Sequence, residues 1–191
     1  MSEYALSIVL GIALAAATGF RVFLPLLVVG AAAYSGHLTL DDNFAWLGTA
    51  PALIMLGVAA IVEILAYYIP VVDNLLDTLA IPAAAVAGTI VSASVMTDVP
   101  PMVKWTAAVI AGGGIAGLTH GLTGLVRGHS TVLTGGLGNP VIATAELGGA
   151  VLMTILAFAA PVVALVLIAV FLLLMLRLAR RLFRKPNASK G

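Results

Sequence analysis

Cysteine is absent from this chain, which excludes disulfides, thiolate metal sites and cysteine nucleophiles together. Charge is scarce as well. Only 9% of the 191 residues are Asp, Glu, Lys or Arg, against roughly 25% in a soluble domain, too few to cover a surface in water. The period-two alternation of a membrane β-barrel is lacking. No Lys or Arg precedes the first apolar run, MSEYALSIVLGIALAAATG, so it has no positive n-region of a cleaved signal peptide and is expected to stay as a helix. The Gly spacings fit neither a P-loop nor a dinucleotide fingerprint, and no serine sits in a Gly elbow. No cofactor, no nucleic-acid partner and no enzymatic activity are therefore expected.

What is present is apolar: 62% of the residues are hydrophobic, in runs long enough for helices at about 20 residues per span. The expectation is an all-α transmembrane fold of about six helices, a single polytopic domain over 1–185 and a polar cytoplasmic tail over 186–191. Helix one is expected over Leu6 to Tyr34, bent at Pro25. Helix two follows over Pro51 to Pro70, then a short separate amphipathic segment over Val71 to Leu79 and helix three over Ile81 to Met96. Helix four runs from Trp105 to Val126 and holds AGGGIAG, a run suited to close packing or a bend rather than to helix propensity. The last long run breaks near Pro161 into helices five and six. RLARRLFRKPNASK, from Arg177 to Lys190, carries most of the positive charge and should be cytoplasmic. An even helix count then puts both termini inside and the Asp41, Asp42 and Asp98 loops outside.

Few polar residues interrupt these runs, so each needs an account. A guanidinium such as that of Arg21 costs several kcal/mol in lipid unless paired or hydrated. Glu63 and Tyr67 share a face near the end of helix two. Asp73, Asn74 and Asp77 follow; the two aspartates, four apart, share a face if helical and are weak metal candidates, since that spacing recurs on many solvated helices, while His120 and His129 could take a transition metal but more often act as hydrogen-bond donors. His120, Thr123 and Arg127 form one polar stripe, Ser130, Thr131, Thr134 and Asn139 lie in the Gly-rich connection after it, and Glu146 enters from helix five. Oxygen ligands of this kind suit hard cations. Arg21, Arg127 and the backbone N–H groups of Gly135 to Gly138 suit an anion or phosphate head group. The plainer reading makes the same charges structural ion pairs, for example Arg21 with Glu63 or Glu146.

Shifting the sequence by 57 positions aligns Glu63 with His120, Asp73 with Ser130, Asp77 with Thr134 and, after one inserted Gly, Pro82 with Pro140. This predicts a two-helix internal repeat of the parallel class found in transporters. A competing register, GIALAAATGFR on GGIAGLTHGLTG, gives inverted three-helix halves but aligns less of the chain.

The strings ATGFRVFLPLL, EILAYYIPVVDNLLDTLAIPAAAVAGT and STVLTGGLGNP resemble those of a family of small bacterial inner-membrane proteins known as a domain of unknown function, over about Gly11 to Glu146. The resemblance implies a multi-pass protein of the bacterial inner membrane and carries no activity or site residue. From the residues themselves the expected function is a transporter or channel for a cation, proton or small polar solute, assembled as a homo-oligomer in the lipid bilayer. A protein that binds or moves a phosphate-bearing lipid is the alternative, and a non-transporting scaffold the third.

Overall fold

A computed structural model describes residues 3–182; the expected tail over 186–191 lies outside them. Among the described residues the chain forms eight α-helices and no strand: α1 (Glu3–Thr18), α2 (Phe23–Tyr34), α3 (Ala50–Ala66), α4 (Pro70–Ser94), α5 (Pro101–Thr106), α6 (Gly114–Thr134), α7 (Asn139–Ala159) and α8 (Pro161–Leu182). A 3-10 turn, Asp42–Gly48, precedes α3, and a π-helical stretch, Ala107–Gly113, joins α5 to α6 without a break. Four helical stretches are long and apolar enough to cross a membrane, and a fifth is added if the 3-10 turn and α3, bent by 67°, count as one span. By length and composition these helices are consistent with a multi-pass membrane protein.

The first expected helix is two short ones. Instead of bending at Pro25, the chain opens at Gly19–Val22, and Pro25 falls in the first turn of α2, where its missing N–H leaves no bond unmade. At about 24 Å and 18 Å, α1 and α2 are each shorter than a bilayer core. Close approaches show their course. Gly11 of α1 lies against Ser92 and Met96 near the end of α4, whereas Gly19 lies against Ala116 and Thr119. From the elbow α2 runs back, so that Gly30 meets Leu47 and Gly48 meets Ala33. The Asp41 N–H then bonds the Ser94 carbonyl at 2.8 Å. Both short helices therefore lie between one end of the bundle and the elbow.

Helix α1 is the axis of the molecule. Ala13, Leu14, Ala15, Ala16 and Ala17 are fully buried in the middle of the core, as befits a helix that is apolar all round. Small side chains let α4 come close to the π-helical stretch and the start of α6: a Cβ on Gly88 would sit 2.5 Å from that of Ala116, and one on Gly112 2.7 Å from that of Ser92. Close packing is thus the use to which AGGGIAG is put.

Two other boundaries differ from expectation. The Val71 to Leu79 segment is no separate element but the first turns of α4, which runs through Pro82. Helix α6 continues to Thr134 and ends at Gly135, whose φ of 65° only glycine adopts without strain. The 57-residue shift carries the turn at 67–69 onto 124–126, inside α6, so the helix boundaries follow another spacing than the sequence match. The break near Pro161 stands where expected, between α7 and α8.

Candidate functional site

The elbow exposes backbone groups that a continuous helix would have satisfied, and deep in a bundle each needs a partner. Two neighbouring helices supply them. Glu63, from α3, accepts the N–H of Val22 at 2.7 Å and of Phe23 at 3.1 Å, one carboxylate oxygen each, and so caps α2 from outside its own chain segment. His120, from α6, faces the Gly19 carbonyl through Nδ1 at 3.1 Å, as a donor in the tautomer that carries hydrogen there. Glu63 and His120 thus hold the two sides of one break, a role that residue type and spacing did not reveal.

Arg21 leaves the elbow fully buried. It donates to the Ala143 carbonyl at 2.8 Å and to Glu146 Oε2 at 3.1 Å. Arg127, from α6 and equally buried, donates to both oxygens of Glu146 and to Asp77 Oδ1 at 2.8 Å. Glu146 is therefore the shared counter-ion of two guanidinium groups, and charge-assisted bonds of this kind are the strong ones. Tyr67 contacts both: its ring centroid lies 4.3 Å from the Arg21 guanidinium carbon and 4.2 Å from that of Arg127, a cation–π contact with each. The Tyr67 hydroxyl reaches His120 Nε2 at 3.3 Å, and Asp77 stands 3.8 Å from the same nitrogen.

A second tier lies one turn nearer the α6–α7 connection. Asn139 donates one amide hydrogen to Asp73 Oδ2 at 2.6 Å and the other to Thr131 Oγ1 at 2.8 Å. Thr131 in turn donates to the Arg127 carbonyl at 3.0 Å, joining the tiers. Asp73 is fully buried and Asn139 nearly so.

Ten of the expected site residues, Arg21, Glu63, Tyr67, Asp73, Asp77, His120, Arg127, Thr131, Asn139 and Glu146, thus fall into one connected layer. Ser130 and Thr134 do not join it: Thr134 donates to the Ser130 carbonyl and accepts the Gly138 N–H, closing its own helix end. Asn74 lies in α4, and its side chain is outside the described residues. Asp73 and Asp77 do not converge on one ion, since each is held by a different partner. Among the described residues no group of three His, Cys, Asp or Glu side chains is placed to hold a metal. The backbone partners of Arg21 and Glu63 were invisible to a search for polar side chains.

The layer is largely buried, and grooves reach it from two sides. One of about 330 Å³ lies among α2, α3 and α4, with Glu63 and Tyr67 in its otherwise apolar wall. Another of about 290 Å³ lies among α6, α7 and α8, with Glu146 and Thr123. A larger groove over Leu24, Val28 and Phe158 carries no charge. At the opposite end of the bundle a separate pair forms, Lys104 Nζ to Asp41 Oδ2 at 2.5 Å.

Residues 8–181 match the family described as Domain of unknown function (DUF4126), which is nearly the whole chain, and the protein belongs to it. No curated protein and no solved structure matches the sequence.

Proposed function

We infer that this family member is a small membrane transporter whose cargo is a cation or proton, with the polar layer at the elbow as its gate. One observation carries the reading: four carboxylates, of Glu63, Asp73, Asp77 and Glu146, share the layer with two arginines, and only Asp77 and Glu146 pair with them. A lock built only for stability would balance its charges, because each uncompensated ion in low dielectric is costly. An excess of carboxylate is what a site for positive charge requires. A broken helix at the same depth supports this further, since discontinuous helices build the ion sites of many transporters. The phosphate-lipid reading fares less well, because both guanidinium groups already spend their terminal N–H groups on carboxylates and carbonyls.

The reading includes a bacterial inner membrane, with the layer near the cytoplasmic side because Arg177, Arg180 and Arg181 end α8 there. The out-and-back course of α1 and α2 goes with five full spans plus a re-entrant hairpin rather than six spans, and with an N-terminal end on the outer side. It does not go with two cytoplasmic termini. The 57-residue repeat gains support only from Glu63 and His120, which hold the same elbow. Assembly into homo-oligomers and the lack of an enzymatic step remain part of the proposal.

Purified protein in liposomes, with a pH-sensitive dye inside and an imposed proton or cation gradient, tests it. Flux is expected from the wild type, with a loss of about tenfold or more, or ~1.4 kcal/mol at the barrier, in Asp77→Asn. Wild-type liposomes as tight as empty ones to protons, sodium and potassium sink the reading.

A further inference from the structure

Among the described residues, the second tier holds two acceptors without a donor. Asp73 Oδ1 and Asn139 Oδ1 are both enclosed and unbonded, while their sister atoms, Asp73 Oδ2 and Asn139 Nδ2, lie 2.6 Å apart. Both amide hydrogens of Asn139 are already spent, on Asp73 and Thr131. Asp73 is in the first turn of α4, at the positive end of the helix dipole. Its neighbour along the helix, Asp77, has Arg127 as counter-ion; Asp73 has only a neutral amide. A buried carboxylate and an amide oxygen that both lack donors mark the position of something unpaired.

We propose that Asp73, Asn139 and Thr131 form a binding site for one hard monovalent cation of the sodium class, at the α6–α7 end of the transport layer. One carboxylate charge neutralises one monovalent ion, whereas divalent sites draw on more carboxylate. Asp73 Oδ1 supplies the charge, Asn139 Oδ1 a neutral oxygen and Thr131 Oγ1 its remaining lone pair. The terminal torsions of Asp and Asn are broad, so an arriving ion can draw both oxygens toward itself at the expense of the 2.6 Å Asn139–Asp73 bond. A water molecule would supply two donors and no charge, leaving the excess of carboxylate as it was. The site rests on the transport reading for its purpose and stands on its own for its geometry.

The test is binding of radioactive sodium to the purified full-length protein, measured by scintillation proximity with choline holding the ionic strength constant. Saturable binding is expected, displaced by unlabelled sodium and weakened about tenfold or more in Asp73→Asn. Thr131→Val, which keeps the Asp73 charge, is expected to weaken it less. Asn139→Asp, with a second carboxylate, should let calcium compete, a change that a merely structural amide would not produce. No saturable binding of sodium, lithium or potassium by the wild type overturns the site, as does undiminished binding in a folded Asp73→Asn variant. Sodium binding without flux in liposomes would keep the site and remove the transport reading. Proton flux without sodium binding would do the reverse.

Discussion

Glu146 is the residue whose loss the network can least absorb. It is the carboxylate shared by Arg21 and Arg127, both fully buried, and breaking a buried pair from one side leaves an uncompensated charge. Glu146→Gln is expected to destabilise the protein by about 3–5 kcal/mol, read as a lowered thermal midpoint in detergent. Ser130→Ala, outside the network, should stay within about 0.5 kcal/mol of wild type. The outer pair behaves differently with pH. Burial raises the Asp41 carboxyl, but the bonds from Lys104 and Asn43 outweigh it and bring it below its ordinary 3.8. A carboxyl lowered by folding adds stability that is present above its unfolded value and lost as pH falls through the folded one. The stability gap between wild type and Lys104→Met should therefore be constant at neutral pH and close below about pH 4. A gap that persists unchanged at acid pH would contradict the pairing. The sequence announced most of these residues because charge is so rare in it. It could not announce their partners, since Ala143, Gly19, Val22 and Phe23 contribute only backbone atoms.

Among the elements, α1 and α4 decide the packing and the elbow decides the site. A side chain on Gly88 would meet both the Ala116 Cβ at 2.5 Å and the Gly112 carbonyl oxygen at 3.0 Å. Gly88→Ala is thus expected to cost about 1–3 kcal/mol by overpacking. The matching change at Gly57, with nothing within 4 Å, should be tolerated, and equal thermal midpoints for the two variants would show that α4 and α6 do not approach this closely. Helix existence was legible from apolar runs and prolines, and the α7–α8 break came directly from Pro161. The elbow was not, because Pro25 looked like the breaker while the true opening depends on Glu63 and His120 closing it from forty and a hundred residues away. The continuity of α4 was hidden for the converse reason: Pro82 reads as a start, yet packing against α1 and α6 holds the helix through it.

For the whole molecule the testable matter is which side each loop faces. A chain without cysteine accepts single thiol probes without a background to remove. Tyr4→Cys and Asp98→Cys are expected to react with an impermeant maleimide added outside intact cells, and Gly136→Cys only after the membrane is opened. Protection of Tyr4→Cys together with labelling of Asp98→Cys would restore a six-span topology with both termini inside. That topology followed from counting apolar runs, which cannot tell a helix that crosses from a pair that enters and returns. The proposed re-entrant hairpin rests on length: α1 and α2, at 16 and 12 residues, are each shorter than a usual span.

The elbow also has an electrical side. Arg21 is a fixed positive charge on a hairpin that is joined to the bundle through side-chain bonds at its tip. In an energised membrane a charge carried across the whole field exchanges about 2.3 kcal/mol per 100 mV. If the elbow is the gate proposed above, any displacement of Arg21 along the membrane normal would carry its charge through part of that field, and the membrane voltage would act on the elbow directly.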